Sequence, residues 1–487
     1  MRILYIDIDT LRADHLGCYG YYRNTSPNID QIANDGVRFE NYYCSDAPCL
    51  PSRTALFTGQ FGIRNGVVNH GGTASQLRID ETRDFKSELE NNSFFGMLRR
   101  HGFYTCAITP FASRHSAWWY YCGFNEIHDT GKYGDERADE ITPVVLDWLK
   151  RNAQKDNWYL HVNFWDPHTP YRTPMSVDNP FEDDSIPEWI TEDVLEEHKQ
   201  LAGPHCAQEI SMYSDSVSDE FPRQPGRLDT LEDVKTLFDG YDMGIRYADD
   251  YIGQIINFLK EQGLYDDMCI IISTDHGENM GELGIYAEHG TADHATCRIP
   301  MIIKWPGGLK GHVDRGLHYH LDLVPTLAEL LGIEPSNDWD GISYAKTLLE
   351  GADTGRDYLV LSQMAHVCQR SVRKGDWLYI RTYHDGFHFF PKHMLINIKE
   401  DPYEQHNVAN QHPEIVHELA ATLFDWHDEM MKKNNYCEDV LSIVMREGGP
   451  FHAAGNLRHY IPHLIKTGRE HYIEKYKEVH PEEFEDK

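Results

Sequence analysis

The stretch CLPSRTALFTG, residues 49–59, sets a cysteine, a proline, a serine and an arginine within five positions. Cys49 precedes an expected helix start, and Arg53 falls one turn further on. A helix N-terminus beside a guanidinium makes an anion site, and the same pair lowers the pKa of a thiol. Two acids end expected strands: Asp9 closes RILYIDI, and Asp275 closes MCIIIST with His276 directly after it. Carboxylates from two strand ends plus an imidazole suit a divalent cation, with Ca2+ or Mg2+ favoured by the oxygen ligands. A third strand, WYLHVNF, runs into Asp166-Pro167-His168-Thr169-Pro170. A histidine on a loop between prolines can donate to an anion or protonate a leaving group. Taken singly, each has a plainer reading: a turn-forming aspartate, a surface histidine, a buried cysteine before a helix.

These positions need a scaffold that brings strand ends together. Residues 2–8, 103–109, 158–164, 268–274 and 300–305 read as strands. Residues 27–35, 93–101, 141–151 and 233–262 show helical spacing of apolar residues. MCIIIST is almost uninterrupted and β-branched, as a parallel strand covered on both faces must be. Alternating strands and helices predict an α/β fold built on a large mixed, mostly parallel sheet flanked by helices. In such sheets ligands bind at the strand ends. Residues 170–230, rich in Pro, Asp, Glu and Ser, read as a long surface insertion on a substrate rim. After about residue 365 the character changes. VRKGDWLYIRTY and FHFFPKHMLINI read as antiparallel strands, a helix is expected near 412–432, and the last fifty or so residues look helical. The expected organisation is a catalytic domain over 1–365 and a smaller C-terminal α+β domain with an antiparallel sheet over 366–487.

Composition narrows the function classes. The formal net charge is −33, which argues against nucleic acid. An anionic substrate must therefore be drawn in by a local positive cluster. There is no apolar run long enough to span a membrane, and MRILYIDIDTLRADHLG does not read as a signal peptide, so a cytoplasmic protein is expected. Ten cysteines without C-x-x-C pairs suit free thiols in a reducing compartment. G-x-S-x-G, Walker A and dinucleotide fingerprints are missing.

Cys49-x-Pro51-Ser52-Arg53 followed by Thr58-Gly59 resembles the signature of the type I, formylglycine-dependent sulfatases of the alkaline-phosphatase-like superfamily. The resemblance extends through IDTLRADHLGCYG (8–20), SPNIDQIANDGVRFENYY (26–43), NFWDPHTPY (163–171), STDHGE (273–278), RIPMIIKWPG (298–307) and INIKEDPYEQHNVAN (396–410). It implies an alkaline-phosphatase-like fold and a sulfuric-ester hydrolase acting on a sulfated carbohydrate, such as a glycosaminoglycan-derived saccharide. It also implies that a maturing enzyme oxidises Cys49 to formylglycine, whose hydrate attacks sulfur and later collapses to release sulfate. A divalent metal, Ca2+ before Mg2+, polarises the sulfate oxygens. By the same carry-over Asp9, Asp275, His276 and the group at position 49 hold the metal, Arg53 steadies the hydrate, and His168 contacts sulfate or protonates the leaving oxygen. His115 matches the family's Lys-x-His histidine, with Arg114 standing for the lysine, and His289 stands where a second lysine is common. Two departures, Thr10 after Asp9 and His276 in place of asparagine, are similar to the phosphonate-hydrolase branch. A phosphodiester or phosphonate monoester hydrolase is therefore the alternative. Thr10, Asp7 or water is left as the remaining metal ligand, and Asp7, alternating with Ile6 and Ile8, reads equally well as structural.

Overall fold

The computed structural model describes residues 1–78, 89–434 and 436–485. Its main sheet has eight strands: β1 Arg2–Ile8, β2 Val37–Tyr43, β4 Tyr104–Ile108, β5 Glu126–His128, β6 Trp158–Phe164, β7 Cys269–Ser273, β10 Met301–Lys304 and β11 His312–Tyr319. They lie in the order β11-β2-β10-β7-β1-β6-β4-β5. The central run β7-β1-β6-β4-β5 is parallel throughout, and β10 alone runs against its neighbours. The expected mostly parallel α/β sheet is therefore present, and its parallel strands deliver their C-terminal ends to one edge.

The period of two along each strand divides the core in two. Ile3 and Tyr5 of β1 and Ile271 of β7 pack with Phe57, Phe94 and Leu323 on one face. Leu4, Ile6 and Ile270 pack with Ile32, Trp148 and Ile252 on the other. Both faces are covered by helices, which is why β7 reads as a continuous apolar run. The helix Leu231–Glu261, opened by a Thr230–Asp233 capping box, is the longest cover on the second face.

A second sheet, in the order β15-β14-β13-β12-β3, is formed by β12 Tyr358–Gln363, β13 Cys368–Lys374, β14 Trp377–His384 and β15 His393–Asn397, with β3 Asp46–Ala47 at its edge. The antiparallel strands expected near 372–398 are here. The sheet begins at Tyr358, and β12 pairs in parallel with β3 just ahead of Cys49. The C-terminal part is thereby bonded to the chain entering the CLPSR helix.

Residues 170–230 carry one regular helix, Glu192–Lys199, as low periodicity implied. The segment is nonetheless anchored rather than draped over the surface. Tyr171, Phe181, Ile190 and Leu195 are buried, Tyr171 donates to Glu278 at 2.9 Å, and buried Glu209 pairs with Arg469. Among the described residues no helix is long and apolar enough to cross a membrane.

Candidate active site

Cys49 begins the helix Cys49–Thr58, and all ten residues of that helix are buried. A helix buried all round must satisfy its polar side chains internally. Ser52 Oγ donates to the carbonyl of Asp275 at 2.6 Å, and Thr54 Oγ1 donates to the carbonyl of Leu50 at 2.7 Å. The helix stops at Gly59, which adopts φ 68° as a left-handed C-terminal cap. A Cβ there would meet the Trp339 ring at 2.7 Å.

Arg53 is the hub of the floor. Its Nε meets Asp7 Oδ2 at 2.9 Å, one Nη meets Asp9 Oδ2 at 2.9 Å, and the other meets Asp275 Oδ2 at 2.5 Å. Asp7 and Asp9 arrive together because they continue the Ile3–Tyr5 face of β1, the face turned to this helix. Three buried carboxylates against one guanidinium leave two negative charges out of water, which a low-dielectric interior does not tolerate uncompensated. The other oxygen of Asp9, Oδ1, is buried without a hydrogen-bond partner. One ligand atom each from Asp9, Cys49, Asp275 and His276 lies within 4.8 Å of the others. Donor set, charge deficit and the orphaned Asp9 Oδ1 all fit a divalent cation. Thr10, at φ 57°, donates its backbone N–H to Asp275 Oδ1 at 3.3 Å, while its Oγ1 is buried without a partner.

Electrostatics at the floor follow from burial and Arg53. Burial pushes Asp7 up, but Arg53 and His161 outweigh it and hold its carboxyl below the usual range. Burial, with Asp9 adding to it, pushes Asp275 up against the pull of Arg53. The expected lowering of the Cys49 thiol is overturned. Burial and the charges of Asp9 and Asp275 push it well above its ordinary value, because Arg53 spends its charge on the carboxylates. A protonated thiol is a poor nucleophile.

Above the floor opens a cavity of about 570 Å³. Cys49, Arg114, His115, His168 and His289 line it, together with His70, Met212, Glu288, His366 and His452. His276 Nε2 lies 3.2 Å from Cys49 Sγ, the His276 and His289 rings are 4.1 Å apart, and His168 Nε2 stands 3.9 Å from Asp9 Oδ1. Burial pushes His168, His289 and His115 well below their ordinary pKa, helped by Arg114 at His168 and His115 and by His276 at His289, while Glu288 opposes at His289. The structure thus brings Cys49, Arg53, Asp9, Asp275, His276, His168 and His289 together. His115 sits further along the same cavity, its ring 5.2 Å from that of His70. Sequence reasoning left Asp7 open and missed Glu288, His70, His366 and His452. For Asp7 the alternation of β1 carried the signal. The other four have no local pattern.

A family model described as Sulfatase matches residues 2–333. The chain belongs to the sulfatase family. A second model, N-sulphoglucosamine sulphohydrolase, C-terminal, matches residues 281–429 of this sulfatase. The sulfatase is 25% identical to the choline-sulfatase of Rhizobium meliloti, over 82% of its own length and 80% of the relative's. It is also 25% identical to the N-acetylgalactosamine-6-O-sulfatase of Bacteroides thetaiotaomicron, over 87% and 92%. Its fold superposes on the crystal structure of the phosphonate monoester hydrolase of Agrobacterium radiobacter with a TM-score of 0.67 and 21% identity, covering 88% and 95% of the two chains.

Proposed function

We propose that this sulfuric-ester hydrolase cleaves the sulfate ester of a saccharide, with a formylglycine made from Cys49 and a Ca2+-class divalent cation. The observation that carries the reading is buried Asp9, whose Oδ1 lacks a hydrogen-bond partner and which shares a 4.8 Å cluster with Asp275, His276 and Cys49. Asp9, Asp275, His276 and the group at position 49 would hold the cation, with Asp7 behind them through Arg53. The cation supplies Lewis acidity toward sulfate oxygens, and formylglycine supplies, as its hydrate, a nucleophilic oxygen with a second hydroxyl for release.

The chain's own groups do the rest. Arg53 pairs with all three carboxylates and steadies the group one turn ahead of it. His168 and His289, their rings 5.6 Å apart, face the cavity beside position 49 and bracket the departing oxygen. Burial keeps both rings neutral, and an anionic sulfate set between them favours their protonated, proton-donating form. The saccharide leaves toward the cavity lined by Arg114, His115 and Phe451, a shape and polarity that suit a sugar ring. The name of the Bacteroides relative supports a sulfated sugar. A cytoplasmic site of action and a sulfatase-maturing partner are parts of the same proposal.

A phosphonate monoester or phosphodiester hydrolase is the second reading, favoured by His276 beside Cys49 and by the likeness in fold to such an enzyme. The test is twofold, on protein produced together with a maturing enzyme. The peptide spanning residues 49–53 is expected to weigh about 18 Da less than encoded, the change from thiol to aldehyde. On matched aryl esters, sulfate is expected to turn over with the higher kcat/KM. Full activity from an unmodified cysteine overturns the formylglycine reading, and a phosphonate preference installs the second one.

A further inference from the structure

The cavity that Cys49 lines also carries three histidines from widely separated stretches: His70, His366 and His452. One ring nitrogen of each lies within 4.8 Å of the other two. His70 Nδ1 is 2.9 Å from His452 Nε2, and the His366 and His452 rings stack at 4.1 Å. Imidazoles packed this closely repel once protonated. Burial, with His452 adding to it, holds His70 and His366 below their ordinary pKa, and burial with His205 does the same at His452, against the pull of Glu288 at His366 and His452. His70 Nε2 is buried and has no hydrogen-bond partner.

The backbone holds the three segments together without using the rings. Asn69 Oδ1 accepts from the N–H of His70 at 2.9 Å and from that of Phe451 at 3.2 Å. The N–H of His452 donates to the carbonyl of Ala365 at 2.9 Å, and the N–H of His366 donates to Gln363 Oε1 at 3.1 Å. The side chain of Glu288 adds a carboxylate 3.7 Å from His366 Nε2, within reach to balance an ion's charge and orient a ligand ring.

We propose that His70, His366 and His452 form a second metal site, selective for Zn2+ over Ca2+ and Mg2+ and chemically distinct from the oxygen-rich site at the floor. Three neutral imidazoles suit late first-row divalent ions and not Ca2+ or Mg2+. Zinc bonds of about 2.0–2.1 Å set tetrahedral nitrogens roughly 3.4 Å apart, so side-chain adjustments of about an ångström close the trio. Three protein ligands leave a fourth position toward the cavity, open to water or to an oxygen of a bound saccharide.

The test is zinc binding by the whole protein, stripped with chelator and returned to buffer with excess Ca2+, using a competing zinc chromophore and elemental analysis. One equivalent of Zn2+ is expected. His452→Ala and His366→Ala should each weaken it roughly 100-fold, while Asp9→Asn leaves it in place. Cobalt substitution should give the visible spectrum of a tetrahedral site in the wild type and in Asp9→Asn, and not in His452→Ala. A melting curve and His452→Asn as a milder variant separate lost ligation from lost folding. Unchanged zinc affinity in the histidine variants, loss in Asp9→Asn alone, or no zinc bound by the wild type overturns the proposal. The readout is metal content, so it stands apart from the reading of substrate and reaction.

Discussion

The floor and the wall of the cavity are built from opposite materials. The floor is charged: Asp7, Asp9 and Asp275 gather round Arg53, from the ends of two adjacent strands and one buried helix. The wall is dominated by imidazoles that burial keeps neutral: His70, His289, His366 and His452 come from loops that belong to no common element. Charge that must stay within an ångström of its place needs rigid support, and strand ends locked by β1–β7 pairing supply it. In the proposed roles, bracketing a departing group or closing on an ion, imidazoles would work through protonation and small ring movements, which loops allow. The chain thus spends its stiffest elements where electrostatic error is most costly.

The largest effect should come from the floor's centre. Cys49→Ala removes the proposed precursor of the nucleophile, and kcat/KM for an aryl sulfate is expected to fall by roughly 10⁴-fold or more. The melting temperature should move by only a few degrees, because alanine fits the same apolar start of the helix. Retained turnover would take the chemistry away from position 49. Arg53→Gln comes next, and it should damage both stability and rate. Removing the guanidinium shared by three buried carboxylates is expected to destabilise by about 3–5 kcal/mol, read from urea unfolding. Added Ca2+ should restore part of that loss, since it binds the folded state alone. A loss below about 1 kcal/mol, or no response to Ca2+, would mean that the carboxylates are not held by charge balance.

What the residues reveal in advance differs between the two regions for the same reason. β1 and β7 are legible because strands covered on both faces must be apolar throughout, so the acids that end them stand out. Asp7 was readable too: it shares the face of Ile3 and Tyr5, which pack toward the Cys49 helix, and alternation alone does not say which face holds the site. The reversed direction of β10 is invisible in its residues, since MIIK reads alike both ways. The anchoring of residues 170–230 rests on isolated contacts, such as Tyr171 to Glu278, which leave no period. The direction of the Cys49 shift failed because Arg53 was assigned to the thiol, whereas three-dimensional proximity commits it to the acids. His366 and His452 reach the cavity through β12 pairing with β3 and through Asn69, contacts between distant segments that no window of sequence contains.

The smallest effect tests the neutrality of the wall. Burial lowers His452 from 6.5 to about 4, so between those values the unfolded chain binds the extra proton. The stabilisation is complete above about pH 6.5 and is lost as pH falls toward 4. The bare pH slope of the wild type does not isolate it, because burial raises Asp46 and Asp249 to about 6. Stability from those carboxyls runs the other way, being present at low pH and lost as pH rises through 6. The difference between wild type and His452→Gln cancels them. At pH 7.5 the variant should be less stable by about 1 kcal/mol, for the lost bond to His70. By pH 4.5 the gap should close or reverse, because glutamine has no proton to take up. A gap that stays constant over this range would mean that folding leaves the His452 pKa unshifted, and a gap that widens as pH falls would mean that His452 is already protonated in the folded protein. The wall would then be a cationic surface for the substrate, and the contrast with the floor would be one of sign instead of charge against neutrality.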